Sequence, residues 1–199
     1  MEQTRLGTWL RRLRGTATVV YIAALCTAVA ALVIAFIPRS PVMLELPTDM
    51  LSGLASVGGV EPGVVVDPEG QIVFTITDPS LAQRMMYLAT TLPGVLLIAE
   101  IARRMARLLR AAQDSDPFTA QTAGQLTAVA KVTALGGAGV WAASITAKWA
   151  LSASMLTSGA AVDAGQSLLV WLAVAFIFAA FGQLLARGVA MRAELDTVI

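Results

Sequence analysis

Histidine is absent from this chain and cysteine occurs once. Without histidine there is no His-ligated zinc, no Ser-His-Asp triad and no histidine-based pH switch. A lone cysteine leaves no intrachain disulfide to staple an outer domain. Cys26 lies among Ala, Leu and Val, a setting that disfavours the thiolate. Metal-ligand spacing, a G-x-S-x-G elbow, a P-loop and paired carboxylates inside apolar runs are all missing as well. The expectation is that the chain is not an enzyme and has no catalytic residues, no cofactor and no metal. Charge is also scarce, at 14% of 199 residues against 57% hydrophobic. A chain of this size cannot hide that much apolar surface in a soluble core.

What the chain does contain is four long apolar stretches, about Ala17–Ile37, Met85–Ala102, Val132–Leu151 and Ser167–Leu185. Each is close to the ~20 residues that carry a helix across ~30 Å of hydrocarbon. The predicted fold is an all-α integral membrane protein with four transmembrane helices in one domain over residues 1–199. The first stretch exceeds a signal-peptide core, and Phe36-Ile37-Pro38-Arg39 is a poor cleavage site, so it reads as a retained anchor.

Basic residues are retained on the cytoplasmic side. All but Arg39, Arg84 and Lys148 of the 14 basic residues fall in the N-terminal segment, the 103–131 segment or the tail. The N- and C-termini are therefore expected to be cytoplasmic, in a bacterial inner or plasma membrane. The loop 38–84 and the short 157–166 connection face outward. The first loop carries Glu45, Asp49, Glu61, Asp67, Glu69 and Asp78 against two arginines.

Residues 1–15 read as a short interfacial helix, with Leu6, Trp9, Leu10 and Leu13 on one stripe and arginines elsewhere. This is an anchor rather than a nucleic-acid arm, since no binding fold stands behind the four arginines. In the outer loop, two β-branched runs flank Asp67-Pro68-Glu69-Gly70. Proline presets that turn and glycine supplies positive φ. The prediction is a small extracytoplasmic β-hairpin over Gly63–Ile76, with Val64, Val66, Ile72 and Phe74 including a buried face. A lone hairpin is marginal in water, so it needs helix ends, Met43–Leu51 or another strand to pack on.

Asp78 or Ser80 is positioned to cap the second helix, and Pro93-Gly94 is expected to interrupt it. Glu100 precedes Arg103 and Arg104 by three and four residues, the spacing of intrahelical ion pairs. Lys148 beside Trp149 reads as an amine reaching for the interface. Both Glu100 and Lys148 are intramembrane polar candidates, because ionisable groups inside spans are costly. The Ala130, Ala134, Ala138, Ala142 ladder and the neighbouring Gly139, Ala143, Ala147 ladder mark the third helix as the packing centre. Ala24–Ala28 and Ala175–Ala179 supply shorter stripes.

The basic cytoplasmic helical hairpin, 103–131, carries the most distinctive string. It runs Arg103-Arg104-Met-Ala-Arg107-Leu-Leu-Arg110 and on to Asp116-Pro117-Phe118-Thr119. Asp116 is placed to cap the third helix and Pro117 to open it. This string, the four-span layout and the acidic Glu194–Val198 ending resemble a bacterial membrane protein family, domain of unknown function 2975. The likeness runs from the first span to the tail. After Pro-Phe-Thr the family favours an acidic-Asn pair and arginines, where this chain has Gln121, Thr122 and Gln125. Family members are often encoded beside a very small helix-turn-helix regulator, which implies a membrane component that contacts a transcription factor.

The leading functional reading is a membrane-embedded interaction or regulatory module in contact with the lipid bilayer. Arg103, Arg104, Arg107, Asp116, Pro117, Phe118 and Thr119 are its candidate contacts for a cytoplasmic protein such as a small helix-turn-helix regulator. No direct nucleic-acid contact is expected. The alternative is a transporter or transporter-accessory subunit acting as a homo-oligomer or with another membrane subunit, since four helices seldom enclose a path alone.

Overall fold

A computed structural model describes residues 2–37, 40–47, 71–114, 119–154 and 167–196. Four long helices and two strands appear in the order α1 (Glu2–Phe36), β1 (Val42–Pro47), β2 (Gln71–Ile76), α2 (Leu81–Asp114), α3 (Ala120–Ala153) and α4 (Ser167–Asp196). All four helices are long and apolar enough to cross a membrane. The architecture is the expected all-α one with a small antiparallel strand pair. The chain forms two compact units: Met1–Ala28 with Gly94–Trp141 and Gln166–Ile199, and Val29–Pro93 with Ala142–Gly165.

The N-terminal segment is not a separate interfacial helix. α1 runs unbroken from Glu2 to Phe36. Gly15 costs a helix only about 1 kcal/mol, and there is no proline to enforce a break. Thr16 and Thr18 donate their hydroxyls to the carbonyls of Arg12 and Arg14, at 3.1 and 2.9 Å, so side chains and backbone keep helical spacing across the glycine.

β2 forms within the stretch predicted as a strand. It pairs antiparallel with β1, in the register Val42↔Ile76, Leu44↔Phe74 and Pro47↔Gln71. Residues 63–66, the predicted first limb, lie outside the described residues. Val42-Met-Leu44 alternates as a half-buried strand should, and loop-closure cost rises only slowly with loop length. Val42 and Leu44 are buried against fully buried Leu151, with Phe74, Ile76, Met86 and Tyr87 packed around them. Phe74 does sit on an inner face, opposite Leu44; Val64 and Val66 lie outside the described residues.

Two clasps complete this hairpin-bearing unit. Ser80 caps α2 in a capping box: its Oγ accepts from the Gln83 amide at 3.3 Å, and its own amide donates to Gln83 Oε1 at 2.9 Å. Arg84 closes the end of α1, donating through Nη1 to the carbonyls of Ala35 and Ile37 at 2.9 and 2.7 Å, while Nε donates to Pro79 O at 3.2 Å. Terminal helix carbonyls lack intrahelical donors, and a cation there also opposes the helix dipole. Gln83 Nε2 reaches Ser154 Oγ at 3.2 Å, tying the start of α2 to the end of α3.

α2 is helical straight through Pro93-Gly94, which was expected to interrupt it. A proline removes one amide donor, and the surrounding turns remain helical. Thr90 donates its hydroxyl to Tyr87 O at 2.7 Å just before it.

α3 is capped within the described residues. Its first residue is Ala120 and its cap is Thr119, whose Oγ1 accepts from the Thr122 amide at 3.2 Å. Asp116 and Pro117, the expected cap and first helical residue, lie outside the described residues. Threonine offers the same kind of acceptor oxygen as aspartate at such a position.

The packing role of α3 is shared with α2. Each buries 22% of its most apolar 18-residue window, against 11% for α1 and α4. Close approach occurs at residues other than those predicted. An added Cβ would face open space at Gly139, yet would lie 2.6 Å from Leu97 at Gly136 and collide with Trp171 at Gly137. At Gly182 it would lie 2.9 Å from Thr127 Oγ1. Gly136–Leu97 joins α2 to α3, and Gly137–Trp171 and Gly182–Thr127 join α4 to α3. Ala130, Thr133 and Ala147 are buried, whereas Ala138, Gly139, Ala142 and Ala143 are exposed. Of the shorter stripes, Ala24, Ala28 and Ala175 are buried.

Candidate functional site: the basic face of the second and third helices

Successive turns of α2 carry Glu100, Arg103, Arg104 and Arg107. Glu100 Oε2 meets Arg103 Nη2 at 2.6 Å, and Oε1 meets Arg104 Nε at 2.7 Å. One carboxylate is thus divided between two guanidiniums, as the spacing predicts. Pairs of this kind are worth about 0.2–0.5 kcal/mol each on an open helix face. The pairing orients both arginines and leaves the cluster with excess positive charge.

Arg104 and Arg107 line a cavity of about 240 Å³ with Gln125, Ala128, Leu108 and Val129. Leu108 and Val129 are buried and make its floor. Two cations and an amide therefore ring an apolar base where α2 and α3 run side by side. Such a site accepts a carboxylate through the fork of a guanidinium while an aliphatic or aromatic group fills the floor.

The other predicted residues are placed as follows. Arg103 is the more exposed of the two paired arginines, at 50% of its side chain against 34% for Arg104, and lies outside this cavity lining. The Thr119 hydroxyl is taken up in capping α3 and in a 2.9 Å contact with Thr122 Oγ1, a structural duty. Asp116, Pro117 and Phe118 fall outside the described residues. Lys148 belongs to the other compact unit, half-buried beside an exposed Trp149, as suits an amine near a helix end.

Three polar positions had no predicted role. Gln125 completes the ring and is visible beforehand only as one of the departures from the family string. Arg84 looks like a stray outer cation until its carbonyl partners are seen. Arg14 donates to Gln113 Oε1 at 3.2 Å, a contact between residues far apart in sequence that no local pattern signals.

No curated protein and no solved structure matches this chain. The family match begins at Gln71 rather than in the first span, and it takes in β2, the basic face and the helices from α2 to α4. Over residues 71–199 the sequence fits the family described as protein of unknown function (DUF2975), and the chain belongs to that family.

Proposed function

We propose that this polytopic membrane protein is an interaction or regulatory module whose basic face docks a protein partner in the cytoplasm. The observation that carries the reading is the ringed cavity: Arg104, Arg107 and Gln125 around Leu108 and Val129. It matches an acidic residue next to an apolar one on a partner helix. A small helix-turn-helix regulator is the kind of partner that the family resemblance implies. Glu100 is engaged by arginines of its own helix, which takes support from the transporter reading because coupling carboxylates need to be available to ions.

The orientation follows the distribution of basic residues, with both termini and residues 103–131 inside. In a Cys26→Ser background, Glu69→Cys should label with an impermeant maleimide in whole cells while Ser115→Cys should not. Reversed labelling rejects both the orientation and the cytoplasmic docking. For the docking itself, the protein is purified from native membranes in mild detergent. Arg107→Glu should leave the melting temperature within about 2 °C yet remove a protein that co-purifies with wild type. An identical set of co-purifying proteins with both versions rejects the site.

A further inference from the structure

A second concavity, of about 430 Å³, lies within the arginine-bearing unit and is almost wholly apolar. Its walls are stripes from three helices. Leu13 and Val20 come from α1, Ile98, Met105 and Leu109 from α2, and Trp171 from α4. On α2 the stripe runs from Ile98 to Leu109, roughly 16 Å at 1.5 Å per residue.

One end of this groove is polar. Gln113 follows Leu109 by four residues, so the two share a face of α2. The Arg14 guanidinium donates to Gln113 Oε1 at 3.2 Å, which sets a cation one turn beyond the last apolar lining residue. Among the described side chains Arg14 meets no carboxylate; its partner is a neutral amide. Gln113 Nε2 is buried and has no hydrogen-bond partner among the described residues. Burying such a donor without an acceptor costs about 1–3 kcal/mol. A single anionic oxygen at this end would both neutralise the cation and accept from the amide.

We propose that this groove binds an anionic phospholipid, with one acyl chain along the stripe from Leu109 to Ile98 and the phosphate at Arg14 and Gln113. Two features select this occupant. The groove is almost wholly apolar, and at one end a cation that meets no carboxylate among the described side chains stands beside a buried amide donor without a partner there. A transmembrane helix of a second copy would need neither the cation nor the free amide donor at that end. Basic sites between membrane helices are suited to anionic head groups, and each arginine near the surface contributes about five-fold in affinity.

Native mass spectrometry of the detergent-purified protein tests the site, with dioleoylphosphatidylglycerol and dioleoylphosphatidylcholine titrated separately. Wild type should retain one phosphatidylglycerol with an affinity about five-fold or more above that for phosphatidylcholine. Arg14→Gln should bring that ratio to about one, and Arg14→Lys should restore most of it. Ala102→Phe, which fills the groove from α2, should abolish retention of both lipids; Ala17→Phe fills it from α1 and serves if the first variant does not fold. Equal retention of the two lipids by wild type overturns the proposal, as does a preference that survives Arg14→Gln. A lipid-independent dimer lost in Ala17→Phe assigns the groove to a second copy and also overturns it.

Discussion

The two compact units hold helices together by different means. In the arginine-bearing unit, backbones approach at glycines: Gly136 under Leu97, Gly137 under Trp171 and Gly182 under Thr127. In the hairpin-bearing unit, a fully buried Leu151 packs against the β1–β2 pair, and side chains clasp backbone ends through Ser80, Gln83 and Arg84. The contrast follows from the solvent. Inside lipid, bringing apolar groups together gains little, so close packing and dispersion must join helices. Where helices end and strands begin, unpaired backbone groups need partners, and polar side chains supply them.

The largest expected effect breaks the first mode. Gly137→Leu should cost about 3 kcal/mol or more, or prevent folding, because its Cβ alone collides with Trp171. Gly139→Leu, two residues away and facing open space, should leave the melting temperature in detergent nearly unchanged. Equal effects at the two positions would remove the distinction between tight and open faces of α3. The second mode is probed next by Leu151→Ala, which should cost about 2–4 kcal/mol through the cavity it leaves. This variant should also make a cysteine placed at Val42 newly reactive towards maleimide, and continued protection would show that the strand pair is held otherwise.

Smaller effects sharpen the comparison. Arg84→Gln removes charge-assisted bonds to the carbonyls of Ala35 in α1 and Ile37 just beyond it, a loss of about 1–2 kcal/mol, read by faster proteolysis between α1 and β1. Ser80→Ala should cost about 1 kcal/mol in a melt, with Ser80→Asp recovering most of it. Glu100→Gln should be the mildest, below about 1 kcal/mol, since both its partners lie on its own partly exposed helix face.

Features set by neighbours in sequence were legible in advance. The four apolar runs, the Ser80 cap, the Glu100 ion pairs and the strand at Gln71–Ile76 all follow from spacings of a few residues. Features set by distant partners were not. Nothing local tells that β2 pairs with Val42–Pro47, because a run of three β-branched residues, Val64–Val66, and a good turn lie closer in sequence. The faces of α3 are ambiguous for another reason. Small residues lie on several sides of it, and lipid and protein interior are equally apolar, so composition does not separate the face at Gly137 from the face at Gly139. The basic site was half legible: the arginines announce themselves, but the floor of Leu108 and Val129 requires α2 and α3 to be docked.

The Arg84 clasp also bears on how the protein is made. The carbonyls it seals, at Ala35 and Ile37, precede it by 49 and 47 residues. Synthesis at about 5–20 residues per second puts roughly 2–10 s between the appearance of those acceptors and their donor. During that wait the end of α1 must stay hydrated or be held by the insertion machinery, since bare carbonyls are costly in hydrocarbon. Arrival of α2 ends the wait, so the first two helices are committed to the bilayer as a pair, and a nascent chain cut before residue 84 should remain extractable where one cut after α2 does not.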